Sequence, residues 1–367
     1  MRRRPIIFLT RLTIALILIA ATPVVRAAPP FEKNALVLSK TYTIDRIYKS
    51  MEGPQSTQPI RLATESTSEV VWITGLQTQI VGPDGVSPRP KEFMCHINVD
   101  FDPQRHNALF GSLQNVSSRL FTLSQGEFEI HFPKGFGVPI MSSEPLNVTT
   151  QVLNHNVMGK IWQVRHRVTF SYVPDPEAAE PMKPLYVCAP FAMKLIEGRD
   201  GYYGVDSANE MVHGATCLPG SNAPNATMGS EYEDGLGRKF SGHWLVKPGR
   251  EVNHTLVTKL MGLRYDTTVH FIAIHLHPFA ESLELRDLTT GQSVYKSRAR
   301  GFSKGIGLAH VDYFSSTEGL SLYKNHEYEL ISITNNTSGK NQDSMAVMLM
   351  YLFDKEFRKP HFAAGTE

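Results

Sequence analysis

The apolar positions of this chain come in short clusters, at residues 69–81, 119–132, 147–157, 161–173, 268–277, 281–288, 327–334 and 345–353. Each cluster is rich in Val, Ile, Thr, Phe and Tyr, and Gly, Pro, Asn and Asp punctuate the chain between them. Branched and aromatic side chains suit a pleated surface, and turn formers at such intervals predict antiparallel strands. No long stretch repeats its apolar residues at helical spacing. The pattern predicts an all-β chain, two antiparallel jelly-roll-like β-sandwich domains in tandem.

Composition places the boundaries. The chain opens with Arg2, Arg3 and Arg4, an apolar stretch from Leu12 to Ala21, and small residues Val25 and Ala27, which reads as an export signal cut after Ala27. The expected location is therefore secreted or periplasmic. No later segment is long and apolar enough to suggest a membrane span in the mature chain. The stretch VPDPEAAEPMKP at 173–184 combines Pro, small residues and acids, as a linker does. Domains are expected at 28–184 and 185–357, followed by a tail at 358–367. Residues 198–238, rich in Gly, Asn and acids without a strand pattern, read as a loop inserted in the second domain.

Charge and cysteine then narrow the function. Five of the 37 basic residues leave with the leader, so 32 face 35 acidic ones and the mature chain is mildly acidic. That balance, with no basic stripe, argues against a nucleic-acid partner. Three cysteines in an exported chain allow one disulfide, assigned to Cys188 and Cys217, which flank one Gly- and Asn-rich region; Cys95 is left over. No G-x-S-x-G elbow, phosphate-cradling glycine loop or H-E-x-x-H helix occurs, and GFGV at 135–138 reads as a turn.

What remains is histidine among strands, with thioether and thiol nearby. In IAIHLHPFAE, residues 272–281, His275 and His277 stand two apart, so on a strand both imidazoles point to one face. Imidazole with thioether suits copper, and soft sulfur favours Cu(I). The strand MAVMLMYL offers Met345, Met348 and Met350, with Met345 on the face opposite the other two. Periodicity does not choose among them. His166 and His270 lie in apolar strands as hydrogen-bonded core histidines, and His213, His310 and His326 read as loop residues.

The run YDTTVHFIAIHLHPFAESLEL, followed about seventy residues later by NQDSMAVMLMYLF, resembles the copper type II, ascorbate-dependent monooxygenases, the family of peptidylglycine α-hydroxylating monooxygenase and dopamine β-monooxygenase. KPGREV at 247–252 is similar to the family's turn before the His-x-His strand. The resemblance implies a copper site at His275, His277 and Met345, where dioxygen is activated. The segment FPKGFGVPIMSSEPLNVTTQVLNHNV resembles the family stretch that ends in a first-domain copper histidine, here His155. Where the family has two consecutive ligand histidines, EFMCHINVD has Cys95 and His96.

Three readings of that substitution stay open: a thiolate completes a His₂Cys copper site, the site is degenerate, or His106 or His131 supplies the missing imidazole. The resemblance implies one or two copper ions, O2 and a small-molecule substrate as partners, and ascorbate or a similar reductant. In the peptide-amidating branch an Arg, an Asn and a Tyr grip the substrate carboxylate; the matching residues here are Ala273, Val347 and Leu349. An apolar trio cannot pair a carboxylate, so an uncharged or hydrophobic substrate is expected. A non-catalytic copper-binding protein and a metal-free structural sandwich are the other classes. Copper content separates the last from the rest, and oxygen consumption with ascorbate separates the first two.

Overall fold

The computed structural model describes residues 32–62, 69–110, 118–195, 231–233 and 239–360. The stretch read as a leader and most of the 198–238 stretch, with Cys217 and His213, lie outside the described residues. In the first half, the strands are β1 (Lys33–Leu38), β2 (Tyr42–Ile44), β3 (Gln55–Ile60), β4 (Val70–Val81), β5 (Met94–Asp100) and β6 (Arg119–Ser124). They continue with β7 (Glu129–His131), β8 (Phe136–Met141), β9 (Leu146–Val152), β10 (Trp162–Pro174) and β11 (Lys183–Cys188). The second half carries β12 (Lys194–Leu195), β13 (Glu231–Glu233), β14 (Lys239–Ser241), β15 (Trp244–Val246), β16 (Gly249–Leu256), β17 (Thr267–Leu276) and β18 (Ala280–Asp287). The last strands are β19 (Gln292–Gly301), β20 (Leu308–Val311), β21 (Phe314–Leu322), β22 (Tyr328–Asn336), β23 (Gln342–Ser344) and β24 (Ala346–Phe353). Among the described residues two α-helices interrupt them, α1 (Pro103–Phe110) and the single turn α2 (Thr258–Met261). No helix among the described residues is long and apolar enough to cross a membrane.

The chain is all-β, as the pattern predicts, and two sandwiches share one long sheet. That sheet runs β1-β10-β4-β8-β11-β24-β17-β21. Its first part covers the sheet β3-β9-β5-β6 across a core that includes Val71, Ile73, Ile97, Val99, Phe121 and Phe170. Its second part covers β16-β22-β18-β19-β20 across a second core with Leu283, Leu285, Leu330, Ile272 and Ile274. The join is a short parallel pairing, Lys183 with Phe136 and Pro184 with Gly137. Thus GFGV is only partly a turn: Gly135 takes φ +83°, while Phe136 to Val138 already belong to β8.

The strands β17 and β24 explain why their sequences are apolar almost without a break. Phe271, Ala273, Val347, Leu349 and Tyr351 face the first core, and Ile272, Ile274, Met348, Met350 and Leu352 face the second. A strand buried on both faces loses the polar half of its alternation. The pair therefore stands between the two cores, and its odd-numbered face looks toward the first half of the chain.

His166, on β10, is a core histidine as expected, with Nε2 3.1 Å from the Gln151 carbonyl. Burial, against that hydrogen bond, pushes its pKa down from 6.5 to about 4. The unfolded chain therefore takes up this proton first as the pH falls. The contribution is intact above about pH 6.5 and lost progressively toward pH 4, at about 1.4 kcal/mol per pH unit. Between pH 6.5 and 5, His166→Gln should flatten the pH dependence of unfolding free energy by that slope. Parallel wild-type and variant profiles in denaturant titrations would contradict it.

Candidate metal centre

Register places the second-half residues. His275 pairs with Val347 and Leu276 with Ala346, and the His277 amide donates to the Met345 carbonyl at 3.3 Å. Met345 belongs to the first core together with Val347 and Leu349, so its thioether lies on the His275 side of the sheet. Met348 and Met350 lie on the other side. The two imidazoles stand perpendicular, ring centres 5.3 Å apart, and both are buried. Neither Nδ1 makes a hydrogen bond. His277 Nδ1 sits 2.8 Å from Asp343 Oδ2, close enough to pair, but without the alignment of a hydrogen bond.

The first half supplies His96 through an irregularity. Successive side chains on a regular strand point to opposite faces, which would separate Cys95 from His96. Between Met94, paired with Val152, and His96, paired with Gln151, the register of β5 shifts and Cys95 is the extra residue. A bulge of this kind re-aims side chains. Cys95 Sγ consequently lies 3.3 Å from His96 Nδ1 and 3.8 Å from Gln151 Oε1. The other nitrogen of His96, Nε2, is buried without a hydrogen-bond partner.

The two predicted sets meet. The His96 and His275 rings are edge to face with centres 6.2 Å apart. Burial, helped by Arg119, His277 and His166, holds the His96 pKa down to about 3. Burial and the neighbouring His277 and His96 hold His275 well below the usual imidazole range. Both rings are neutral at pH 7, the form in which imidazole binds metals. His155 is half-buried, with Nε2 3.5 Å from Ser50 Oγ. Its pKa is lowered chiefly by burial, opposed by Asp343 and reinforced by His277, which sets it in the same electrostatic neighbourhood.

Other histidines are placed elsewhere. His106 Nδ1 lies 3.1 Å from Glu144 Oε1, and its ring packs between Phe101 and Phe110. His131 is exposed and 3.7 Å from Glu129. Neither is placed to replace the imidazole missing at Cys95, which corrects that alternative. His270 is bonded to Thr268 and Ser316, a core histidine as expected. His310 was expected in a loop but lies in β20, beside Asp312. The disulfide expected between Cys188 and Cys217 is not formed at Cys188, which carries a free thiol. The Cys188 thiol, pushed up to about 12 by burial, donates to the Met261 carbonyl.

Two residues with metal-binding chemistry escaped the sequence reading. The pairing of β15 with β23 sets Leu245 opposite Asp343 and Trp244 opposite Ser344, which carries the preceding His243 to the same place. His243 Nε2 is 3.4 Å from Asp343 Oδ2. One ligand atom each from His243, His277 and Asp343 lie within 4.8 Å of one another, and all three residues are buried. Burial alone would raise the Asp343 carboxyl, but the two imidazoles hold it below the carboxylate range. Glu127 ties the halves together nearby: its carboxyl accepts the Ile274 amide at 2.8 Å, next to His275.

No protein-family model and no curated protein matches this chain. Among solved structures, a peptide-N(4)-(N-acetyl-β-D-glucosaminyl) asparagine amidase is similar at 8% identity and TM-score 0.32, covering 90% of this chain and 99% of that one. PNGase F, a glycosylasparaginase from Flavobacterium meningosepticum, is 9% identical with TM-score 0.31, over 87% and 95%. The STIV MCP is 8% identical with TM-score 0.30, over 89% and 97%. Likenesses this weak do not bear on function.

Proposed function

We propose that the chain is an exported copper monooxygenase that hydroxylates an aliphatic carbon of an uncharged or hydrophobic small molecule, using O2 and a reductant such as ascorbate. The carrying observation is the shared face of His275, His277 and Met345, buried beside His96, with His275 Nδ1 and His96 Nε2 left without a hydrogen-bond partner. A buried imidazole nitrogen without a partner costs free energy, and a metal ion relieves that cost. His275, His277 and Met345 would hold one copper; His96, Cys95 and His155 would hold a second or complete the first. Copper, when bound, supplies the one-electron steps by which O2 attacks a C–H bond.

The chain's own groups supply position. The register of β17 against β24 fixes both imidazoles and the thioether on one rigid face, and Glu127 braces that strand against the first half. The His275 ring, held neutral by burial, stays available as a donor at pH 7. Ala273, Val347 and Leu349 are buried side by side in the first core, which supports a reaction partner without a carboxylate.

Met345→Ile should keep much of the Cu(II), lower the Cu(II)/Cu(I) potential because a Cu(I)-favouring donor is gone, and abolish ascorbate-dependent oxygen consumption. Met348→Ile, on the opposite face, should leave all three readouts near wild type. The reverse result would disprove the assigned ligand. Burial of His275, His277, Met345, His96 and Cys95 also favours a second reading, a non-catalytic copper-binding protein. Copper uptake without oxygen consumption in the wild type, across a panel of hydrophobic substrates, would establish it.

A further inference from the structure

We infer that His243, His277 and Asp343 form a separate site for a hard or borderline divalent ion of the zinc and iron(II) class, sharing one imidazole with the proposed copper site. Three elements distant in sequence converge here: the approach to β15, the end of β17 and the short strand β23. The contacts are 2.8 Å from His277 Nδ1 and 3.4 Å from His243 Nε2, both to Asp343 Oδ2. Donors bound about 2.1 Å from one ion lie roughly 3.0–3.4 Å apart, so the side chains need only a small adjustment to admit one.

Burial strengthens the case. Asp343 is 8% exposed, and among the described residues the only side chains pairing with its carboxylate are these two histidines. Among the described residues no lysine or arginine forms an ion pair with it. An ionised carboxylate buried without a fixed cation is costly, and a divalent ion supplies the missing charge. The two nitrogens and one oxygen contain no sulfur, so the set differs in kind from His275, His277 and Met345. His277 has two ring nitrogens. Its Nδ1 faces Asp343, leaving Nε2 for copper; with an ion on each nitrogen the ring would bind as imidazolate, its N–H proton released to solvent, and would couple the two ions.

The test uses the full mature chain, stripped with chelator and titrated with Zn2+ and, for its visible bands, Co2+. Wild type should bind one equivalent of either, and the cobalt form should show d–d bands without sulfur charge transfer. Asp343→Asn and His243→Gln should each weaken binding by about 100-fold or more, whereas Met345→Ile and His275→Ala should leave it unchanged. The inference is overturned if stripped wild type takes up neither ion, a result that stands whether or not the variants fold. It is equally overturned if zinc loss follows His275 or Met345 rather than Asp343. Failure of the copper reading looks different: wild type would then bind zinc in an Asp343-dependent way and take up no copper.

Discussion

Replacing His275 and His277 together with alanine should remove about one copper equivalent from the mature protein and all ascorbate-dependent oxygen consumption. Loss of groups that touch the metal weakens a site far more than loss of their outer supports, which already costs roughly 10–100-fold. The loss can be read without confusion from unfolding. His275 carries a buried nitrogen that makes no hydrogen bond in the metal-free chain, and removing it relieves about 1–3 kcal/mol, comparable to the cavity that alanine leaves. Removing His277 instead takes a partner from the buried Asp343 carboxylate, so the fold of the double variant is verified by its unfolding transition before copper is counted. Copper analysis that finds the wild-type stoichiometry in that variant would sink the proposed centre. His277→Ala alone should also release the ion held with His243 and Asp343, whereas His275→Ala alone should not.

Legibility followed how locally each feature is encoded. The strands that form the walls of the cores were readable, because an apolar cluster ending in turn formers is a local signal. Strands such as β21, FSSTEGLSL, escaped because they are largely solvent-facing and carry few apolar residues. The choice of Met345's face was half legible: alternation set it apart from Met348 and Met350, but only the pairing with β17 shows which side bears the imidazoles. The bulge at Cys95 left no trace in the sequence, since one extra residue is defined only against the partner strand β9. His243 and Asp343 are 100 residues apart and carry no spacing motif. The stretch expected to link two domains lies between strands of one sheet, with β10 running to Pro174 and β11 starting at Lys183, and the sheet continues from one half to the other.

Changing Cys95 should have the second largest effect, and it separates the two readings that survive there. In the copper-loaded wild type, a thiolate ligand gives intense sulfur-to-copper charge-transfer absorption, as copper thiolates do. The bulge sets Sγ 3.3 Å from His96 Nδ1, the separation two donors to one ion have, so the sulfur is placed to take that role. Cys95→Ser should abolish the absorption and weaken the first-half copper, and Cys95→His should restore binding with imidazole donors only. Copper should also protect the thiol from alkylation. If Cys95→Ser leaves both absorption and copper content unchanged, the sulfur merely props the His96 ring, and the first-half set is not a copper site built on this residue. Peptide mapping adds an independent check. A disulfide between Cys95 and Cys217 in the purified, non-reduced protein would exclude the thiolate, because one sulfur cannot hold both a bridge and a metal.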